Sequence, residues 1–552
     1  MRRVLRKAAT SLLLIVLVAL GARLAFAWNQ ARKIPSEVLR TVLFQTETGH
    51  IAYSLAAGKG YSSPFERDTG PTAWLAPVYP LLIAGLFKLF GIYTRASFFA
   101  AVFLNILFSS AACVPIFYAA KRVAGVGVAS LSAWLWALFI NAIMMPFEWI
   151  WDTSLSALLA ATILWATLEL AESRRWRDWC GYGLLWGVAL MTNPALASLF
   201  PLLLGWLVFR ARCQGRWQLA KPAFAAVLAL LCCVPWTVRN YVVFHRFIPL
   251  RSNFGFELYV GNNENYDERR RTLPAAITYD REVLRYLRMG ETAFMDEEKR
   301  KALQFIASHP RVELELTAKR FLDFWMGSPE PLYKFRETDS LLVRGILLGS
   351  FLTSVGALLG VAVLFFRRNA YAFPLAAFPL AFPLLYYLMH ASLRYRHPID
   401  PIVLLLTAIA AAALFRRLLP QRAARDDTWE RAWAMQKKKM PAGNYFLGRV
   451  RSLRRFFSSD MNSWTSLKSM YTLAKRTYAT LSSFLRRCMI ISPISVVVSS
   501  LSVASWTTLS ISSTMASSLG VGTGRFSQAL SSPCRIFWRS KRSRRPSFLI
   551  TM

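Results

Sequence analysis

The chain has 552 residues, 55% of them hydrophobic and 18% charged, with a mean hydropathy of +0.34 and a formal net charge of +37. A soluble fold is excluded less by these totals than by clustering: the apolar residues come in runs of about twenty, the length an α-helix needs to cross ~30 Å of hydrocarbon. A nucleic-acid partner is excluded too, because residues 431–552 hold 20 Lys and Arg against one acid, Asp460, and much of the remaining charge flanks apolar runs, as in cytoplasmic loops of membrane proteins.

In chain order, Arg2-Arg3 precede an apolar run at 8–27, read as an uncleaved first helix, although Ala25-Phe26-Ala27 could mimic a signal-peptidase site. Further spans are expected at 97–119, 124–144, 153–172, 177–192, 195–209, 222–238, 342–366, 371–389 and 400–416. The run Leu75 to Phe90 sets the topology. If it does not span, Arg2-Arg3, Lys121-Arg122, Arg174 to Arg177, Arg210 to Arg216, Arg367-Arg368 and Arg416-Arg417 all face the cytoplasm; if it does, every cluster after it moves outside. With Pro77, Pro80 and Lys88 it reads as an interfacial or re-entrant helix. The expectation is an all-α polytopic membrane protein of about ten transmembrane helices with a cytoplasmic N-terminus, a membrane core over 1–240, and C-terminal transmembrane helices over 342–420. Residues 28–96, with their juxtamembrane helices, and the polar segment 241–341, large enough for a small subdomain, lie on the extracytoplasmic side.

The tail, 421–552, is Ser-rich, basic and without hydrophobic periodicity. It reads as a frameshifted coding end, as a disordered tail on anionic lipid, or as an extra domain. The seven cysteines, Cys113, Cys180, Cys213, Cys232, Cys233, Cys488 and Cys534, form no CxxC pair, and none falls in the segments assigned to the extracytoplasmic side.

Charged residues beside hydrocarbon are costly and tend to be functional. The first outer loop carries Glu47 and His50 ahead of a short amphipathic helix ending at Gly58, then Asp68, and Tyr79 within Pro77-Val78-Tyr79-Pro80. Glu47 is a candidate base, or a carboxylate favouring the following helix N-terminus; Asp68 is a second candidate, or a turn residue before Gly70-Pro71. Ahead of the fourth span stand Glu148 and Asp152, where Asp152 orients base or sugar, or caps the span with Thr153 and Ser154. Before the last span lie Arg394, Arg396 and His397. The two arginines suit a phosphate or anchor to lipid headgroups, and His397 alone signifies little. Arg251 to Glu257 and Asn262-Asn263 suit a carbohydrate or an ordinary loop. No phosphate-loop Gly-Lys-Ser/Thr, HExxH or nucleotide-sugar DxD motif is present, so no motif calls for a metal, a cofactor or a nucleotide-sugar donor.

Glu47, the helix Ile51 to Gly60, Pro77 to Pro80 and Phe90-Gly91 follow one another in an order and spacing that resemble the GT-C class of membrane glycosyltransferases. The nearest branch is that of protein O-mannosyltransferases and lipid A aminoarabinose transferases (glycosyltransferase family 39-like), and the resemblance spans roughly residues 5–420. Where that family has Asp, often Asp-Glu, this chain has Thr46-Glu47. The resemblance implies a transferase in a bacterial inner membrane. It would take a hexosyl or pentosyl group from a polyprenyl-phosphate donor to a hydroxyl of a lipid, glycan or protein acceptor on the extracytoplasmic face. Glu47 would be the base, with Asp152 and Asp68 as further catalytic candidates, and Glu148, Arg394, Arg396, His50 and Tyr79 would bind substrate. A transporter or flippase of lipid-linked sugars is the rival reading; its signs, inverted repeats and mid-membrane charges, are not clear in the sequence.

Overall fold

The computed structural model describes residues 11–33, 44, 46–148, 150–215, 219–264, 280–327 and 340–418. Arg2-Arg3 and the tail 421–552, with its three readings, lie outside the described residues. The described residues are helical, with one isolated bridge between Ser62 and Pro71 and no strand. Seven helical segments are long and apolar enough to cross a membrane, or eight if one bent pair is a single span, and the chain is a multi-pass membrane protein.

The spans begin with α1 (Leu12–Ala31). After α2 (Glu47–Ala56) and α3 (Val78–Phe90), the helices α4 (Arg95–Ala111) and α5 (Cys113–Ala124) run on as one 30-residue apolar span. Next, α6 (Val126–Leu138) and α7 (Ile140–Glu148) form the bent pair, turning by 44°. Then come α8 (Thr153–Leu170), α9 (Trp176–Leu190), a 3₁₀ turn (Pro194–Ser198) leading into α10 (Phe200–Cys213), and α11 (Ala220–Phe244). Three of the expected spans differ in detail. The run at 177–192 is the 15-residue α9. That at 371–389 is split into α17 (Ala372–Ala381) and α18 (Leu384–Leu388) around Phe382-Pro383, where proline supplies no N–H to the ladder. That at 124–144 breaks at Phe139, whose ψ is 122°. The expected non-spanning run is α3, a 13-residue helix.

Helix α8 sits at the centre, packed against α4, α5, α9 and α20 (Asp400–Leu418). Van der Waals fit rather than water expulsion drives association in lipid, so small residues mark the closest crossings. On α9, a Cβ at Gly183 would lie 2.8 Å from the Ala225 carbonyl oxygen and one at Gly187 2.5 Å from Cys232 Cβ, so α9 and α11 pack backbone to backbone. Gly356 and Gly360 do the same for α16 (Ser340–Phe366) against α20, where a Cβ at Gly360 would lie 2.1 Å from the Leu406 carbonyl oxygen.

The broken span explains a buried charge. The break at Phe139 interrupts the ladder at the end of α6, where Trp136 O keeps a long bond from Phe139 N (3.4 Å), and weakly satisfied carbonyls are costly in hydrocarbon. Arg23 of α1, fully buried, donates to Trp136 O (3.2 Å) and Ala137 O (3.1 Å), as well as to Ala19 O and Ser109 Oγ.

Within 241–341 the described residues form α12 (Phe254–Gly261), α13 (Asp280–Met289), α14 (Glu291–Ser308) and α15 (Pro310–Met326). It shares a core with the loop after α1, in which Phe65 and Trp74 pack edge to face against Tyr286 and meet Phe256 and Phe294. The buried Glu291 carboxylate ties the two together. It accepts from Thr72 Oγ1 (2.5 Å), Ala73 N (2.8 Å), Ser252 Oγ (2.6 Å) and Tyr286 Oη (2.7 Å), so four donors converge on one buried carboxyl group. Arg239, at the end of α11, donates to Thr72 O and Tyr61 O.

Candidate active site

Glu47 is the first residue of α2, and the capping role is filled by its neighbour: Thr46 is extended and its Oγ1 accepts from Gly49 N at 3.3 Å. Gly49 is needed where it is, because a Cβ there would lie 1.9 Å from Phe44 O. The Glu47 carboxylate is left over, and its Oε2 is buried with no hydrogen-bond partner among the described residues. Burial holds this carboxyl above its usual range; its own backbone N–H opposes the shift, the Glu257 charge adds to it and the Arg394 charge opposes it.

Asp152 precedes α8 without capping it. It makes no side-chain bond to the helix N–H groups and instead accepts from Ser156 Oγ at 2.9 Å, while Asn193 Nδ2 donates to that hydroxyl at 3.3 Å. Burial raises the Asp152 carboxyl as well, against the pull of the Ser156 hydrogen bond and the Arg251 and Arg394 charges.

Arg394, on the short helix α19 (Leu393–Arg396), is sandwiched by aromatic rings: its Cζ stands 4.2 Å from the Trp151 centroid and 4.7 Å from that of Tyr395, and it donates to Tyr395 Oη at 2.7 Å. Stacking of this kind suits a guanidinium better than an ammonium. Arg251 enters from the loop after α11, whose backbone is pinned by Ser252 N to Ala73 O (2.8 Å) and by Ser252 Oγ to Glu291. It lies within electrostatic reach of Asp152, Glu257, Tyr386 and Tyr395, yet makes no ion pair or hydrogen bond among the described residues. Glu257 of α12 accepts from Asn253 Nδ2 (2.9 Å) and pairs with His390 Nε2 (2.6 Å). Burial pushes its carboxyl up, but the His390 hydrogen bond and charge, with Arg251 and Arg394, prevail and hold it below its usual range.

Glu47, Asp152 and Arg394 therefore share one electrostatic neighbourhood, joined by Arg251, Glu257 and His390. The other candidates are held in different settings. Arg396, two residues from Arg394, is fully buried and committed. It pairs with Asp400 (2.6 Å) and donates to Trp325 O, Ser350 O, Ser354 Oγ and Thr353 Oγ1, so its donors are engaged within the protein. Asp68 is exposed in a turn, held by Ser63 Oγ and Gly70 N and facing Lys59 at 3.6 Å; those hydrogen bonds, ahead of the lysine, keep its carboxyl below the usual range. His50 is driven down to about 4 by burial alone, so it is neutral near pH 7. Tyr79 is buried and donates to Asn105 Oδ1 at 2.9 Å, with Asp152 in electrostatic reach. Glu148, half-buried, closes α7. His397 is buried against Trp136, with neither ring nitrogen hydrogen-bonded.

The sequence reading set Arg251 and Glu257 aside as compatible with any loop, and gave no weight to Trp151, Tyr386, Tyr395 or His390. Arg251 and Glu257 were the findable pair, because both charges sit just beyond the apolar end of a span. Among the described residues no three His, Cys, Asp or Glu side chains stand together in a metal-holding group.

Residues 74–238 match the family described as dolichyl-phosphate-mannose-protein mannosyltransferase, a stretch that holds Tyr79, Glu148 and Asp152. The match agrees with the resemblance read from the sequence over that stretch, 165 of the 552 residues. No curated protein matches the chain. Among solved structures, the oligosaccharyltransferase of Archaeoglobus fulgidus in the apo form is similar at 13% identity and a TM-score of 0.45, over 77% of this chain and 54% of that one. The same archaeal protein in complex with an inhibitory peptide and a dolichol-phosphate gives 14% and 0.44, over 78% and 52%. ArnT from Cupriavidus metallidurans bound to undecaprenyl phosphate gives 16% and 0.32, over 75% and 80%. The chain spans about half the length of the archaeal protein.

Proposed function

We propose that this chain, related over residues 74–238 to the GT-C mannosyltransferases, is a glycosyltransferase that moves a sugar from a polyprenyl-phosphate carrier to an acceptor hydroxyl on the extracytoplasmic face of a bacterial inner membrane. The observation that carries the reading is the buried, unpartnered Oε2 of Glu47 in a neighbourhood that also holds Arg394. A buried carboxylate oxygen without a donor is costly in a resting protein, and a site that binds a hydroxyl fills that need.

In this reading Glu47 takes the acceptor hydroxyl proton as the oxygen attacks the anomeric carbon. The bond from that carbon to the phosphate oxygen breaks and the polyprenyl phosphate departs with the bonding pair. Arg394 and Arg251 stabilise the charge that develops on it. Arg251 takes the place first considered for Arg396, whose donors are already occupied. Asp152, anchored through Ser156 and Asn193, faces the donor sugar. The raised Glu47 carboxyl is the better base for it, because a base works best when its pKa approaches the operating pH. The transferred group, a hexose or a pentose, and the acceptor, a lipid, glycan or protein, follow from assay.

The test is transfer by membranes holding this protein, with a panel of radiolabelled polyprenyl-phosphate sugars and endogenous acceptors. The reading predicts label in an acceptor fraction, dependent on the protein. Movement of intact labelled donor across the bilayer without any transfer would favour a flippase instead.

A further inference from the structure

Glu257 and His390 lie 133 residues apart and belong to different parts of the fold, yet they form one of the shortest side-chain contacts in the site, 2.6 Å from Oε2 to Nε2. Around that contact runs a continuous string. Asn253 Nδ2 donates to the other Glu257 oxygen at 2.9 Å. The Tyr395 hydroxyl lies 3.5 Å from His390 Nε2, and the two rings meet edge to face with centroids 5.0 Å apart. Tyr395 stacks on Tyr386 at 4.9 Å, accepts from Arg394 at 2.7 Å, and lends its ring to the guanidinium that also lies over Trp151. The string thus crosses α12, the link between α18 and α19, and the α7–α8 junction.

We propose that His390 is a positioning residue: by donating from Nε2 to Glu257 and bracing Tyr395, it fixes the orientation of Arg394 over Trp151, and so the placement of the cation that receives the leaving phosphate. The chemistry follows from the donor and acceptor inventory. An ionised carboxylate only accepts, so Nε2 carries a proton in this pair. The remaining joints of the string are ring contacts and the Arg394 bond to Tyr395, and a guanidinium stacked between two rings turns only if those rings turn. Removing the imidazole leaves Glu257 with the Asn253 bond alone and frees Tyr395 on its side. Misplacement of a charge-stabilising group by about 1 Å costs on the order of 10²-fold in rate.

The inference rests on the transfer reaction proposed above, and two measurements separate the two. First, kcat and donor KM are compared for folded, detergent-solubilised parent, His390→Ala and His390→Gln. Glutamine places an amide N–H where Nε2 stood but cannot titrate. Alanine is expected to lower kcat by about 10- to 100-fold with donor KM within about threefold, and glutamine to recover most of the loss. Full activity in His390→Ala, or a glutamine variant no better than alanine, overturns the proposal. Second, ¹⁵N-histidine NMR reads the pairing without any activity. A His390 Nε2 signal of a protonated, carboxylate-bonded nitrogen that shifts in Glu257→Gln is expected, and a histidine signal indifferent to Glu257→Gln overturns the pairing. A parent protein without transfer activity but with the Glu257-dependent signal would defeat the transferase reading and leave the pairing intact.

Discussion

Two arginines two residues apart, Arg394 and Arg396, sit in opposite regimes. Arg396 is buried in the bundle and the protein answers its donors: Asp400, two backbone carbonyls and two hydroxyls. Arg23 on α1 is similar, donating to the carbonyls of Trp136 and Ala137 beside the break. At the mouth, Arg394 stacks on ring faces and donates to Tyr395, Arg251 makes no ion pair or hydrogen bond among the described residues, and a Glu47 oxygen has no hydrogen-bond partner among them. Charges inside the bundle serve the fold, whereas Arg251 and Glu47 at the mouth keep capacity in reserve. An intramembrane charge is therefore a functional signal only after its partners have been counted.

The contrast makes its strongest claim at Arg396. Arg396→Ala leaves Asp400 buried without its cation, and breaking such a pair costs roughly 3–5 kcal/mol, so we expect much less folded protein in detergent by size-exclusion and thermal unfolding. An unchanged melting profile would erase the distinction. Arg251→Ala is expected to do the reverse: unfolding indistinguishable from the parent, and sugar transfer reduced by about 10²–10³-fold, the range for loss of one charge-stabilising donor. Loss of folded protein there would move Arg251 into the structural group.

The pH dependence sharpens the account of the mouth. Glu47 must be ionised to act as a base, so transfer falls as pH drops through its raised pKa, and the acid limb of the rate profile lies above that of an ordinary glutamate. Glu257→Gln removes a like charge that raises Glu47, and the limb shifts to lower pH. Arg394→Ala removes a cation that lowers it, and the limb of the residual activity shifts to higher pH. Shifts of the opposite sign would show that another group is titrating. The smallest effect is expected at His397, whose ring nitrogens make no hydrogen bond among the described residues and whose Nδ1 lies 3.7 Å from an Asp400 carboxylate already paired with Arg396: His397→Phe should change stability by no more than about 1 kcal/mol.

Much of the fold was legible because hydrocarbon imposes a length and a polarity on each span. The apolar runs became helices, Leu75 to Phe90 became the short α3, and the helix expected from Ile51 appears as α2, begun at Glu47. The break at Phe139 was not legible, since no proline or glycine sits there and the rescuing Arg23 is more than a hundred residues away. The site was legible in part for the same reason. Glu47 and Asp152 announce themselves as acids beside spans, but identical local cues were given by Asp68, which is exposed in a turn, and Arg396, which is spent on Asp400. What separates them is pairing across the chain, such as Glu257 with His390, and periodicity carries no record of it.

The central claim is that Glu47 is the base of a sugar transfer, and the most direct measurement is transfer from the active labelled polyprenyl-phosphate sugar by the parent and by Glu47→Gln at matched levels of folded protein. The account predicts transfer by the parent and its loss in Glu47→Gln, with Glu47→Asp retaining a fraction. Equal transfer by parent and Glu47→Gln would contradict it and direct the search for the base to Asp152.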